Sequence, residues 1–166
     1  MVIYTDGACS GNGTSQAKGG FGIVVCNDKG YVVNTYRFDA EPGTTNNREE
    51  LKAIILALAY YGKEDVTPIV YSDSAYCVNT FNTWMWNWEK NGWRKSDNRT
   101  PENLDLIQAY YNAWKEGYRI NLQKVTGHSS NLYNELADAL ATGDTKKEER
   151  VRGRISKTLE QIYGAV

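Results

Sequence analysis

The sequence predicts an α/β domain in which a five-stranded mixed sheet carries helices on both faces. Three strand-like segments joined by short links occupy residues 2–38, and apolar residues recur at helical spacing from about residue 45. Two more strand-like segments then alternate with helices, a pattern that favours parallel pairing through right-handed crossovers. We therefore expect strands 1–3 to be antiparallel and strands 4 and 5 to be parallel.

The first three strands are predicted from β-branched and aromatic residues. Such residues favour a strand over residues 2–5, which ends at Asp6. Residues 11–20 are rich in glycine and have the composition of a loop. Residues 21–26 and 31–38 are predicted as strands 2 and 3, and the short links make an antiparallel meander.

Helical and strand-like segments alternate through the rest of the chain. The first helix is predicted over about residues 45–61, because Leu51, Ile54 and Leu58 recur on one face. A strand over 66–72 follows, and then a short helix that is capped by Asp73-Ser74 and reaches residue 81. The next helix begins at Pro101, and its inner face is predicted to consist of Leu104, Ile107, Tyr111 and Trp114. The last two elements of this part are a strand over 118–125 and a helix over 133–141.

The last segment is charged and is predicted as an appended helix. We expect residues 1–142 to form the domain that holds the functional site, with residues 143–166 packed on the same domain. Basic residues of this segment could add affinity for a polyanion, or the helix could only cover an apolar face. The helix carries an apolar stripe that needs burial, which favours the second role, in which the helix covers an apolar face of the domain. The stripe consists of Val151, Ile155, Leu159 and Ile162.

Composition limits the classes of function. A chain of 166 residues fits one domain with a sizeable core, and its net charge of −1 gives no global attraction to nucleic acid, so a polyanion would need a local basic patch. No apolar run approaches the roughly 20 residues that span a bilayer, so we expect no membrane partner. Three scattered cysteines suit neither a disulfide framework nor a zinc site, which predicts a cytoplasmic protein.

Four acidic residues lie at the ends of predicted elements or inside them. Asp6 and Asp73 follow strands that should be parallel neighbours, while Glu50 and Asp138 lie on helices beside apolar residues. Carboxylates that share one site repel each other unless a cation is present, and hard oxygen ligands suit Mg²⁺ or Mn²⁺. Taken alone, Asp6 could instead cap a turn with Gly7, and Glu49 is a competing candidate beside Glu50.

Four segments together carry a family resemblance: residues 5–12, residues 44–51, residues 72–74, and residues 127–128 followed by 134–141. In this order and at this spacing they resemble ribonuclease H of type 1, over residues 1 to about 142. The resemblance implies the ribonuclease H-like fold and an endonuclease that hydrolyses the RNA strand of RNA–DNA hybrids. It further implies two Mg²⁺ ions per active site, with Mn²⁺ as a substitute, and products with 5′-phosphate and 3′-hydroxyl ends.

The resemblance also assigns residues. It implies that Asp6, Glu50, Asp73 and Asp138 are the metal-binding catalytic acids, and it leaves Glu49 as a solvated helix residue. It places His128, the only histidine, in a loop where it would assist proton transfer or product release. Without the neighbouring motif, His128 would be interpreted as an exposed surface residue.

Substrate contacts follow from the same resemblance. The residues implied are Cys9, Asn12, Asn46 and Asn47 at the minor groove of the hybrid, Asn79 and Trp84 near the DNA strand, and Thr45 and Asn103 in a phosphate-binding pocket. Asn46 and Asn47 could instead cap the helix, and Cys9 could fill core space. Gly43 departs from the family, which often has an arginine there, so we expect a weaker grip on phosphate.

Residues 84–99 resemble the basic protrusion of bacterial members of the family. Four basic residues against two acidic residues give this segment a modest net charge of +2. We expect Trp86, Trp88 and Trp93 to pack helix against helix and Trp84 to contact substrate.

Two other functions stay open from sequence alone. One is a non-catalytic module that binds hybrids, although binding does not need four clustered acids beside phosphates. The other is the ribonuclease H domain of a reverse transcriptase, against which we weigh the start at Met1 and the full protrusion. We expect a monomer.

Overall fold

The computed structural model of the chain describes residues 1–125 and 131–164. Its five strands form one sheet in the order β3-β2-β1-β4-β5. β1 pairs antiparallel with β2, and β2 with β3, whereas β4 lies parallel to both β1 and β5. The predicted fold class is therefore confirmed. The strands are β1 (Val2–Ser10), β2 (Lys18–Cys26), β3 (Val32–Asp39), β4 (Ile69–Ser72) and β5 (Asn121–Lys124).

In the described part of the chain, six helices accompany the sheet: α1 (Asn46–Tyr61), α2 (Ala75–Asn79), α3 (Met85–Lys90), α4 (Leu104–Lys115), α5 (Leu132–Thr142) and α6 (Thr145–Tyr163). A π-helical turn over Thr80–Trp84 joins α2 to α3. Within the described residues, every helix is too short or too polar to cross a lipid bilayer.

The sheet separates two apolar cores. Alternate residues of a strand point to opposite faces, and β2 is buried on both. Ile23 and Val25 join the larger core with α1 and α4, while Val24 and Cys26 join the smaller core beneath α5 and α6. Helices therefore cover both faces, as predicted.

β1 and β2 are longer than predicted because two glycines extend their pairing. Gly19 and Gly20 have φ values of 118° and 152° and lie inside β2, where a side chain would overlap the carbonyls of Ala8 and Phe38. The prediction of a loop at this point was wrong, because low strand propensity hid a close approach of backbones. Asp6 consequently lies within β1 and not at its end, although the parallel ladder with β4 does stop one residue earlier.

Two helices also differ from their predictions in detail. α4 begins three residues after Pro101, because Asn103 takes a left-handed conformation with φ 60°. Ile107 and Tyr110 form its buried face, whereas three residues that were expected there are only half-buried: Leu104, Tyr111 and Trp114.

α6 contacts the smaller core through three of the four residues of its predicted stripe. Val151, Ile155 and Leu159 are buried, whereas Ile162 remains 64% exposed.

Candidate active site

Asp6 and Asp73 come together where the parallel ladder of β1 and β4 ends. Thr5 is paired with Ser72, so the two acids occupy the next position of each chain. Asp6 is only 4% exposed because β2 and the flanking helices surround it, while Asp73 is exposed just before α2. Ser74 caps α2 by accepting a hydrogen bond from the Cys77 N–H, as predicted. One buried and one accessible carboxylate thus meet at the sheet.

Glu50 reaches the same point from the N-terminal part of α1, just after its first turn. Thr45 caps this helix by accepting a hydrogen bond from the backbone N–H of Arg48. The helix then passes directly over Gly7, where a Cβ atom would overlap the backbone nitrogen of Glu50. One carboxylate oxygen each from Asp6, Glu50 and Asp73 lie within 4.8 Å of one another.

Asp138 approaches Asp6 from α5 on the opposite face of the sheet. Gly22, which is paired with Asp6, permits this approach, because a Cβ atom there would lie 2.6 Å from the carbonyl oxygen of Ala137. The Asp138 carboxyl is near enough to contribute to the raised pKa of Asp6. The second contact of Asp138 was not predicted: its Oδ2 lies 2.6 Å from Nζ of Lys147 on α6. Glycines on neighbouring strands thus let two helices bring their acids to Asp6.

Replacing Gly7 by alanine should therefore damage the site through the backbone. We expect Gly7→Ala to push α1 away, to destabilise the fold by about 1–3 kcal/mol, and to lower activity about a hundredfold through the displaced Glu50. Thermal unfolding and cleavage assays measure the two effects. The control is Gly153→Ala on α6, where nothing lies within 4 Å of the added methyl group and helix propensity favours alanine. Near-normal activity of Gly7→Ala would contradict the contact.

Burial and mutual repulsion shape the electrostatics of the cluster. Burial raises the pKa of Asp6 well above its ordinary value, and the charges of Glu50 and Asp73 raise it further. Burial also raises the pKa of Glu50, with additional repulsion from Asp73 and Asp138. Oε2 of Glu50 is buried without a hydrogen-bond partner among the described residues. A divalent cation would satisfy this oxygen and offset the repulsion, so the residues present fit a metal site.

The interpretation of Glu49 as a solvated residue was wrong. Its side chain is 0% exposed and points away from the three-acid cluster. It accepts a hydrogen bond from Oγ1 of Thr44 at 2.8 Å and forms an ion pair with Lys52 at 2.9 Å. The choice of Glu50 as the acid in the cluster agrees with this geometry.

Three of the predicted substrate residues form one hydrogen-bonded group beside the cluster. The Asn46 carboxamide accepts a hydrogen bond from the backbone N–H of Cys9, and Asn12 Oδ1 accepts one from the Asn46 N–H at 2.8 Å. Cys9 is half-buried and Asn12 and Asn46 are exposed. Cys9 therefore does not belong to the core, and Asn46 bridges two loops.

Thr45 and Asn103 are connected through Arg48, which the sequence analysis did not single out. The guanidinium of Arg48 lies 3.4 Å from Oδ1 of Asn103 and forms an ion pair with Asp105 at 2.8 Å. Nδ2 of Asn103 donates to the Tyr76 hydroxyl at 3.0 Å. This places a cation in the region of the expected phosphate pocket.

Gly43 has a φ of 83°, a conformation that side chains rarely adopt. An arginine at this position would be strained, which gives a backbone reason for the departure from the family.

Trp84 lines an open cleft of about 400 Å³, together with Tyr76, Trp88, Lys95, Ser96 and Glu102. Trp84 is 38% exposed, as expected for a contact residue. Trp86 packs edge-on against Trp114 and Trp93 against Tyr111, as predicted. Trp88 was predicted to pack only, but it also faces the cleft. Its spacing of four residues from Trp84, one helical turn, was the available signal.

Three other residues were predicted to belong to the site: Asn47, Asn79 and His128. Asn47 is exposed in the first turn of α1, and Asn79 is exposed at the end of α2. Among the described residues, neither side chain joins the clusters above. His128 lies outside the described residues.

Similarity to known proteins identifies the family of this chain. The family model of RNase H matches residues 1–146. The ribonuclease H of Caldanaerobacter subterraneus subsp. tengcongensis is 46% identical over 148 residues, covering 89% of this chain and 92% of that protein. The ribonuclease H of Chlorobaculum parvum is 42% identical over 143 residues, covering 85% and 92%.

Solved structures agree with the sequence matches. LC9-RNase H1, a type 1 RNase H with the type 2 active-site motif, has a TM-score of 0.63 at 30% identity and covers 89% of this chain and 72% of its own. LC11-RNase H1, solved in complex with RNA/DNA hybrid, has a TM-score of 0.56 at 26% identity and covers 87% and 98%. Because the family model extends over the sheet and all four acids and the relatives are 42–46% identical over most of their length, the chain belongs to the ribonuclease H family.

Proposed function

We propose that this protein is an endoribonuclease that hydrolyses the RNA strand of RNA–DNA hybrids with two divalent metal ions. The observation that carries the proposal is the cluster of Asp6, Glu50 and Asp73 oxygens within 4.8 Å, with Asp138 beside it, in a chain of the ribonuclease H family. Mg²⁺ is the proposed ion and Mn²⁺ a substitute, and the products would carry 5′-phosphate and 3′-hydroxyl ends.

The four acids would hold the ions, and the role of each acid would depend on its position and burial. Asp6 is central and buried, so it would share its charge between ions, while Asp73 is exposed on the substrate side. When bound, two such ions activate a water molecule and stabilise the leaving oxygen. Asp138 could bind an ion through Oδ1 while Oδ2 keeps its contact with Lys147, or through Oδ2 once that contact is released. His128 is proposed to assist proton transfer or product release.

Hybrid recognition is assigned to two surfaces on either side of the acids. Short amides and backbone groups around Asn12 and Asn46 suit the 2′-hydroxyls of an RNA strand in a shallow minor groove. The cleft at Trp84 offers aromatic faces with Lys95 beside them, which suits a sugar-phosphate strand. Asn47 and Asn79 remain proposed contacts, as do Thr45 and Asn103 at a phosphate.

The direct test uses end-labelled RNA–DNA hybrid, double-stranded DNA and double-stranded RNA, each with Mg²⁺ and with EDTA. We expect cleavage of RNA in the hybrid alone, only with metal, and product ends that a ligase and a phosphatase distinguish. Binding of the hybrid without cleavage would favour the non-catalytic module. The monomeric state and the cytoplasmic location are likewise proposals, which gel filtration and fractionation can test.

The basic protrusion should contribute to affinity and not to chemistry. Changing Lys90, Arg94, Lys95 and Arg99 to alanine should raise the KM for hybrid, flatten its salt dependence, and leave the saturated rate nearly unchanged. The loss should be modest, because Asp97 forms an ion pair with Arg99 and offsets part of the charge. Steady-state kinetics at several salt concentrations measure these effects. A collapsed saturated rate with an unchanged KM would contradict the electrostatic account.

A further inference from the structure

Glu49 is a buried carboxylate that the catalytic cluster does not use. It is 0% exposed, and its Oε1 has no hydrogen-bond partner among the described residues. Burying a carboxylate costs free energy unless it is paired and hydrogen-bonded. Within the described residues its polar contacts run through the other oxygen, Oε2, to Thr44 and Lys52. The contacts of Oε2 with Thr44 and Lys52 therefore indicate the role of this buried carboxylate.

Thr44, the hydrogen-bond partner of Glu49, also connects the segment after β1 to the segment before α1. It is only 3% exposed, and its hydroxyl donates to Glu49 at 2.8 Å. Its carbonyl oxygen accepts from the backbone N–H of Gly13 at 2.7 Å and from Sγ of Cys9 at 3.7 Å. Next to it, the Gly43 N–H donates to the Thr14 carbonyl at 2.9 Å. Orienting Thr44 therefore orients both the segment after β1 and the segment before α1.

The groups proposed to contact the RNA strand lie in these two segments or at the adjoining ends of β1 and α1. Asn12 and Asn46 are tied by a 2.8 Å hydrogen bond, and Asn46 is tied to Cys9. Both ties cross between the same two segments that Thr44 joins. The spacing between the three contact groups is thus held at the surface by Asn46 and from below by Thr44 and Glu49.

We propose that Glu49 is a positioning residue for hybrid recognition, which fixes Thr44 and thereby the Cys9–Asn12–Asn46 surface. Glu49 and Glu50 are consecutive on α1, so their side chains project about 100° apart. Glu50 serves the acid cluster, while Glu49 serves the recognition loops from the same helical turn. The inference rests on the proposed function, since it assumes that the hybrid is the substrate.

The experiment compares Glu49→Gln, Thr44→Val and the double variant with the unmodified protein. Thr44→Val removes the donor of the buried hydrogen bond, and Glu49→Gln removes the negative charge that strengthens this hydrogen bond and pairs with Lys52, each with little change of volume. We expect a rise in KM for hybrid of about tenfold in each, a saturated rate within about twofold of normal, and no further rise in the double variant. In an Asp6→Asn background, the dissociation constant for hybrid should rise equally, and the preference for hybrid over double-stranded DNA should shrink.

The control separates positioning from stability. Leu159→Ala removes a buried side chain from the smaller core, beneath α6 on the other face of the sheet, and should lower the melting temperature without changing KM. An unchanged KM in Glu49→Gln and Thr44→Val would overturn the inference, as would a fall in saturated rate at constant KM or an equal rise of KM in Leu159→Ala. If the unmodified protein neither binds nor cleaves hybrid, the proposed function fails instead.

Discussion

Asp6→Asn is expected to abolish cleavage of the hybrid while the metal-free protein becomes more stable. An oxygen of Asp6 lies within 4.8 Å of oxygens of Glu50 and Asp73, so losing its charge should disturb both proposed metal positions and lower activity at least about a thousandfold. The same change removes a buried carboxylate repelled by its neighbours, which relieves the fold. Cleavage assays and thermal unfolding in EDTA measure the two effects. More than a small residual activity would contradict the central role of Asp6.

The gain in stability should depend on pH with a definite sign. Because folding raises the pKa of Asp6 and of Glu50, the folded state holds protons that the unfolded state has lost above about pH 4. The stability that these groups contribute is therefore present below the unfolded pKa and is lost as pH rises through the raised folded values. In EDTA, the melting temperature of the unmodified protein should fall from pH 5 to pH 8, and that of Asp6→Asn should fall less. Equal slopes would contradict the pKa assignment.

Glu50→Gln is expected to lower the saturated rate about a thousandfold, whereas Glu49→Gln should keep it nearly normal. Glu50 contributes an oxygen to the three-acid cluster, and its buried Oε2 has no other partner among the described residues. The amide that replaces it cannot supply the same charge to a cation. The measurements are single-turnover cleavage rates and Mg²⁺ binding by calorimetry on the two variants.

The comparison of these neighbouring glutamates discriminates between two causes. Both variants lose one negative charge from the same helical turn, so a long-range electrostatic effect would act on both. A direct role in holding metal acts only on Glu50, whose oxygen lies with those of Asp6 and Asp73. Equal losses of saturated rate would therefore refute the assignment of Glu50.

Much of the fold was predictable because it depends on local patterns. The β-branched and aromatic residues of 21–26 and 31–38 and the helical period from residue 45 are local signals, and the crossover rule then made β4 parallel to β1. The strand extension through Gly19 and Gly20 was not predictable, because it depends on contact with the carbonyls of Ala8 and Phe38. The left-handed Asn103 likewise depends on Arg48 and Tyr76, which are distant in sequence.

The acids of the candidate site were predictable from motif spacing, but their surroundings were not. Glu49 has the polarity of a surface residue, and only its three-dimensional partners Thr44 and Lys52 explain its burial. The contact between Lys147 and Asp138 joins two helices whose relative placement no local pattern specifies. Trp88 serves both the packing and the cleft, a double role that periodicity alone does not separate.

Because the sheet divides the interior into two cores, these cores become complete at different stages of synthesis of the chain. The larger core draws its buried residues from Ile3 to Leu122, whereas the smaller core pairs Val24 and Cys26 of β2 with residues from Leu136 to Leu159. As the chain leaves the ribosome from its N-terminus, one face of β2 can be covered long before the other. Until α5 and α6 have emerged, the nascent protein exposes an apolar sheet surface to chaperones and to aggregation. Asp138 arrives with the same segment, so a partly made chain lacks both its second core and the fourth acid of the proposed metal site.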